Sequence, residues 1–374
     1  MNETITGQRM HQFKIRRILL EREAGEDSIA QRIRTRLPDV PITPVAPDDL
    51  ALDRDIEELD KQSLRMVHFS GEFLKPCPGT PRYICCGYQI LHVGINCPMD
   101  CSYCFLQSYL NQPSLRIFSN LANKLDAIGA IIDSHPGRIF RIGTGEFTDS
   151  LALDYLIGWT DTLLPFFSSK RNCILELKTK TTCIENLLKK RDVGQRIIVA
   201  WSLNTPRIIA HEERNTASLE SRILAARSCQ KAGYVVAFHF DPLIHYPGGR
   251  EEYEEVVQLM ERHLDPETII WISMGSFRYM PDLKWVIKRR FPKTQIFDGE
   301  FIKGLDGKLR YFKPIRVEMY ANLFEKLKKW YDDLGVYLCM ESDDVWSQSL
   351  GWSPEKTGCL SEYLDERVKK LMRG

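Results

Sequence analysis

The chain lacks any apolar run of the roughly 18–20 residues that cross a bilayer, and it shows no internal repeat or low-complexity tract. It also lacks charge of one sign. Lys and Arg number 51 against 50 Asp and Glu, a formal net charge of +1, so any nucleic-acid contact must come from a local patch and not from bulk attraction. The opening Met1-Asn-Glu-Thr has no basic-then-apolar pattern of a signal peptide. Without an export signal, the eleven cysteines read as reduced thiols or ligands, not as a disulfide frame. A cytoplasmic protein that makes no membrane contact is expected. The 374 residues, 43% of them hydrophobic, suffice for one large domain with appendages or for two domains.

What the chain has is the run Cys97-Pro-Met-Asp-Cys101-Ser-Tyr-Cys104-Phe-Leu-Gln, a C-x3-C-x2-C spacing with an aromatic, Tyr103, before the third cysteine. Three thiolates on one tight loop can ligate three irons of a cubane, whereas a cluster held wholly by protein takes four. The fourth iron is left open for a small molecule. A structural zinc site would want a fourth Cys or His in a matching pair, and none follows. This spacing and aromatic resemble the signature of the radical S-adenosylmethionine superfamily. That resemblance implies a [4Fe–4S] cluster, S-adenosylmethionine, and an external one-electron reductant such as flavodoxin or ferredoxin.

Residues 1–60 read as a small α/β appendage, with a strand near 13–20, a helix from Ser28 to Leu37, and prolines at 38, 41, 44 and 47. Residues 61–87, with Gly71, Pro76, Pro78, Gly79 and Pro81, read as an irregular connector. From 88 to 292 apolar runs alternate with helical stretches, the pattern of parallel βα units. The expected strands are Gln89–Gly94, Arg138–Ile142, Ile174–Lys178, Arg196–Leu203, Val235–Phe240 and Ile269–Met274; the clearest helix is Leu219–Ala232. Six units make a partial (β/α)6 TIM-type barrel, whose chemistry gathers where strand C-termini meet the following loops. The cluster loop begins just after the first strand. Residues 293–374 would form a C-terminal α/β extension that completes the wall.

Further polar residues sit at the strand ends. The second strand runs into Gly143-Thr-Gly-Glu146, then Phe147, Thr148 and Asp149, where a carboxylate or hydroxyl could hold the methionine ammonium. Lys178-Thr-Lys180 ends the third strand and offers a cation for the methionine carboxylate. Ser202-Leu-Asn204 ends the fourth and offers hydrogen bonds to carboxylate or ribose. On the fifth, His239 and Asp241 share a face, either bonded to each other or touching substrate. The basic stretch Lys284–Lys293 is a solvated helix face or a phosphate contact. Cys77, Cys85 and Cys86 lack a close-spaced fourth ligand and read as packing thiols.

A longer pattern is present as well. Cys97–Gln107, Leu110, Pro113-Ser-Leu-Arg116-Ile, Leu153-Asp154-Tyr-Leu156, Thr179-Lys180 and Ser202-Leu-Asn204 resemble the spore photoproduct lyase family. So do Glu213, Thr216, Leu219, Arg222-Ile-Leu-Ala-Ala, Ala232-Gly-Tyr234 and Phe291-Pro-Lys-Thr. These radical enzymes reverse a thymine–thymine photoproduct in DNA. The resemblance implies a lyase-like activity on a nucleic-acid base or nucleotide, with Lys180, Ser202 and Thr148 at cofactor contacts. Two departures stand out. Where the family carries its hydrogen-donating cysteine this chain has Glu146, and where it carries a tyrosine after the third ligand this chain has Phe105. A carboxyl O–H is too strong to donate a hydrogen atom easily, and a phenyl ring has none to relay. Tyr103 remains as the aromatic for catalysis and cofactor contact, and Cys339, in an apolar run near the C-terminus, is either a packing thiol or a donor from the far wall. Two other readings use the same residues: a peptide or small-metabolite modifier on this scaffold, and a non-enzymatic iron–sulfur redox sensor. The sensor has no need for polar groups at several strand ends.

Overall fold

The computed structural model describes residues 13–47, 60–80, 82–110, 113–190 and 195–373; the parts of the 1–60 reading that fall on 1–12 and 48–59 lie outside them. Within the described residues an eight-stranded sheet curls into a partial barrel. Its strands run in the order 336–338, 269–276, 235–243, 197–202, 173–179, 140–143, 89–91 and 74–76. All pairs are parallel except the outermost, Leu74–Pro76 against Gln89–Leu91. Parallel strands buried on both faces need near-continuous apolar runs. Cys173–Thr179, Ile197–Ser202 and Ile269–Ser276 provide them: Ile174, Leu175, Ile197, Ile198, Val199 and Ile272 have essentially no exposed surface.

The six expected barrel strands are all present, with ends shifted by a few residues. The first is the most altered. It stops at Leu91, and the chain then crosses as Gly94–Ile95 to a second, smaller sheet, pairing antiparallel with Leu115–Phe118. A side chain at Gly94 would sit 2.5 Å from the Arg116 carbonyl, so glycine permits the crossing. A seventh parallel strand, Val336–Leu338, joins the sixth with Ile272 opposite Val336, so the C-terminal region does supply wall.

The smaller sheet has the order 42–45, 17–21, 63–67, 115–118, 94–95. Its N-terminal helix, Ser28–Arg36, lies where the sequence puts it, while the strand, Arg17–Glu21, starts four residues later than the expected 13–20. Its third strand, Ser63–Val67, comes from the stretch read as an irregular connector. Arg65 there is fully buried, donating to Glu21 Oε1 at 3.1 Å and to the carbonyls of Ala46 and Pro47. One continuous apolar core runs under both sheets.

The helix Leu219–Lys231 starts at Ser218, whose hydroxyl accepts from the Ser221 backbone N–H as an N-cap. The helix Pro281–Arg290 packs over a separate small core that includes Ile208, Phe277, Tyr279 and Phe297 at the strand C-terminal end of the barrel.

Candidate cluster and cofactor site

The cluster loop is braced by hydrogen bonds on several sides. Asn96, buried and at φ 71°, donates to the carbonyls of Pro113 and Ser114 and accepts from the Cys97 N–H and from Lys61 Nζ. Asp100–Cys101 forms a short antiparallel ladder with Glu213–Arg214. Ser102 N–H donates to the Glu212 carbonyl at 2.8 Å, and its hydroxyl bonds the Glu212 carboxylate. Gln107 Nε2 donates to the carbonyls of Cys101 and Ser102, and its own amide oxygen takes a bond from Arg290 at 2.6 Å. Arg290 also grips both oxygens of Asp100 at 3.0 Å. Three thiols thus hang on a loop whose backbone is committed elsewhere.

All three thiols are free and flank one small cluster with Met99 and Ala152. Burial pushes each of them up, Cys97 to about 12. Lys180 opposes that rise at Cys101 and Cys104, and Lys61 opposes it at Cys97 and Cys104. A metal must therefore deprotonate them on binding. Among the described residues no three His, Cys, Asp or Glu side chains converge where a single ion could sit. Cubane thiolates bind three separate irons and have no need to converge on one. The donor set, three soft sulfurs with cations nearby and no fourth protein ligand in the loop, fits a site-differentiated [4Fe–4S] cluster.

The other strand-end residues fall into three groups. Tyr103, Lys180 and Ser202 are drawn together. The Tyr103 hydroxyl bonds Glu213, Glu213 pairs with the fully buried Arg222, and Arg222 Nη1 donates to the Ser202 carbonyl at 2.9 Å. Lys180 Nζ lies 5.7 Å from the centre of the Tyr103 ring and has no carboxylate partner among the described residues. Its ammonium is held above the usual range: burial works against it, and the charges of Cys101 and Glu213 outweigh burial. The Ser202 and Thr148 hydroxyls, both on buried residues, have no protein partner among the described residues.

Glu146 forms a second group, paired with Lys178 at 3.1 Å. Two glycines admit this crowding. A Cβ at Gly143 would overlap the Tyr88 hydroxyl, and one at Gly145 would lie 2.6 Å from Lys178 Cβ. Asn204 stands apart. It donates to the Pro242 carbonyl at 2.9 Å and accepts from the Tyr253 hydroxyl and the Thr205 N–H, which leaves one amide N–H for anything else.

The expected His239–Asp241 contact is not formed. His239 bonds Glu176 at 2.6 Å and Ser273, while Asp241 pairs with both terminal nitrogens of Arg278. The ring's acidic partner comes from the third strand, across the intervening fourth, and not from two residues along its own strand. Cys339 follows the seventh strand with Arg278 Nη2 3.9 Å from its sulfur. Burial pushes its thiol well up, and the charges of Asp241, Cys86 and Glu146 add to that.

Three residues have structural roles that the sequence reading did not give them. Asp149 is the first: it accepts from the N–H groups of Leu151, Ala152 and Lys180 and from the Thr179 hydroxyl, tying the second strand's loop to the third. The others are Glu213 and Arg222. An arginine amid Leu219, Ile223 and Ala226 on the buried helix face was the available signal, since a charge goes there only when paired.

A partial barrel of parallel strands, with three free thiols on the loop after its first strand, has the architecture of the radical S-adenosylmethionine class. The spore photoproduct lyase family model matches residues 86–329. The chain belongs to that family. It is 27% identical over 203 residues to a spore photoproduct lyase of Geobacillus sp. (strain Y412MC61), covering 54% of this chain and 59% of that one. To the spore photoproduct lyase of Bacillus subtilis (strain 168) it is 25% identical over 233 residues, 62% of this chain and 66% of that one. The matched region is therefore less than two thirds of these relatives' length. A spore photoproduct lyase solved with a dinucleoside spore photoproduct superposes with TM-score 0.76 at 21% identity, covering 87% of this chain and 99% of that one. A mutant solved with bound S-adenosylmethionine and the same dinucleoside gives 0.75 at 21%, covering 88% and 100%. At these identities the superpositions speak for the fold.

Proposed function

We propose that this chain is a radical S-adenosylmethionine enzyme of lyase type that abstracts hydrogen from a nucleic-acid base or nucleotide. The observation that carries the reading is the meeting of three unbridged thiols with a half-buried ammonium, Lys180, that has no carboxylate partner among the described residues and lies over the Tyr103 ring. When bound and reduced by one electron, the cluster and S-adenosylmethionine supply a 5′-deoxyadenosyl radical. The residues do the rest. Cys97, Cys101 and Cys104 hold three irons, and Lys180 pairs with the methionine carboxylate. Thr148 and Ser202 offer hydroxyls to the cofactor's polar groups, and Tyr103 packs under Lys180, fixed by Glu213.

A nucleobase fits the rim. Phe105 and Tyr109 are 46% and 65% exposed, and both rings lie about 6 Å from Phe147 at the end of the second strand. Aromatic faces of this kind stack bases without regard to sequence. A second reading, a peptide or small-metabolite substrate on the same scaffold, is favoured by one observation: Glu146, which the resemblance sets at the family's hydrogen-donor position, is tied up in an ion pair with Lys178. Salt-dependent binding of an oligonucleotide separates the two, with a falling log affinity against log salt expected for the first. An external one-electron carrier completes the proposed cycle. No helix of the described residues is long and apolar enough to cross a membrane; a cytoplasmic setting is part of the proposal.

Product radicals need a hydrogen donor, and Glu146 is a poor one. Dinucleotide spore photoproduct should be turned over slowly and with side products by the wild type, and cleanly by Glu146→Cys. Cys339→Ala asks whether the thiol beyond the seventh strand contributes. Fast, clean repair by both wild type and Cys339→Ala would show that the missing cysteine limits nothing.

A further inference from the structure

We infer that the exposed basic face of the helix Pro281–Arg290 docks a small acidic one-electron carrier protein beside the cluster loop. The inference rests on the proposed radical chemistry, which needs one electron from outside. Trp285 is 74% exposed, the most exposed of the large hydrophobic residues, and Lys288 and Arg289 lie three and four residues on, on the same helical face. Lys288, Arg289 and the following Lys293 are exposed and have no carboxylate partner among the described residues; Asp282 is the one acid on the helix. In a chain of net charge +1 this is a local concentration of cations around an apolar anchor.

Its place favours an electron carrier over a nucleic acid. The helix ends in Arg290, which holds Asp100, the residue before Cys101, and Gln107, which holds the Cys101 carbonyl. Arg214 and Arg290 lie 4.4 Å and 5.1 Å from the centre of the Phe291 ring, and the Arg214 backbone is in the ladder opposite Asp100. The cationic face thus reaches the cluster loop through two side chains and one strand pair, and it does so at the loop's bracing rather than at Lys180 and Ser202. A carrier there could deliver its electron while substrate occupies the barrel mouth. Only an electron moves: the carrier leaves oxidised by one electron, the cluster is reduced by one, and no atom is exchanged. Redox encounters are small and steered by charge.

The test has two arms. Calorimetric titration of a flavodoxin, and separately of a ferredoxin, into the reconstituted full chain should show salt-sensitive binding of at least one. That binding should weaken at least about tenfold in Lys288→Glu/Arg289→Glu/Lys293→Glu, and weaken also in Trp285→Ala. With that carrier reduced, 5′-deoxyadenosine formation should fall to the same degree in the variants, while dithionite-driven formation stays at the wild-type rate. Binding of neither carrier by the wild type, equal binding by wild type and variants, or variants that lose only single-stranded oligonucleotide binding would each overturn the inference. Absence of 5′-deoxyadenosine with dithionite in the wild type would instead sink the radical reading, and the calorimetric arm would still decide the docking.

Discussion

At the scale of single residues, the account turns on Lys180 and on the buried pair beside it. Lys180→Ala should weaken S-adenosylmethionine binding by about 1.5–3 kcal/mol, the range for a hydrogen bond to a charged group, with the iron content unchanged. Equilibrium binding to the reconstituted protein checks it; full affinity in the variant would pass the carboxylate contact to another cation. The Glu213–Arg222 pair makes a stability prediction with a sign. Burial would raise the Glu213 carboxyl, but Arg222 and then Lys180 outweigh it and hold it below the usual range. Its contribution is complete above the unfolded value near 4.5 and is lost as pH falls through the lower folded value. Denaturant midpoints measured from pH 5 downward should therefore fall less steeply in Glu213→Gln than in the wild type. Arg222→Met, which leaves the carboxylate buried and alone, should cost about 3–5 kcal/mol at neutral pH. The sequence shows the thiols and Lys180 because their spacing is local. It does not show the Tyr103–Glu213 bond or the His239–Glu176 bond, since each joins residues far apart along the chain that only the barrel brings together.

At the scale of elements, the loop carrying Cys97, Cys101 and Cys104 is the unit that matters. Each of Cys97→Ala, Cys101→Ala and Cys104→Ala should abolish the cluster in anaerobically reconstituted protein, as read by iron content and visible absorbance. Replacing Cys77, Cys85 or Cys86 should leave iron near wild type. Arg290→Ala, which frees Asp100 and Gln107, should keep the ligands yet let the cluster bleach faster in air; an unchanged bleaching rate would mean that the ladder with Glu213–Arg214 suffices to hold the loop. The barrel strands were readable as elements because parallel strands buried on both faces leave runs of Ile, Val and Leu. Ser63–Val67 was not. Its neighbours are rich in glycine and proline, and what makes it a strand is pairing with Arg17–Glu21 on one side and Leu115–Phe118 on the other.

At the scale of the whole molecule, a near-neutral chain buries a minority of its charges, and its largest buried cations are paired. Arg65, Arg222 and Arg310 are among its largest fully buried side chains, each tied to a carboxylate. The barrel class was legible from the alternation of apolar runs and helices and from a cysteine motif in register with the first strand. The seventh strand was less so, because three residues, Val336–Leu338, become a strand only against the sixth. If Glu146 stands, as the resemblance implies, at the family's donor position, the Glu146→Cys comparison separates cluster chemistry from the return of hydrogen to the product radical. The most direct measurement is the formation of 5′-deoxyadenosine by anaerobically reconstituted protein given S-adenosylmethionine and dithionite, in wild type and in Cys101→Ala. The account predicts 5′-deoxyadenosine from the wild type and none from the variant. A wild type that holds its cluster yet forms none, or a variant that forms as much, would contradict it.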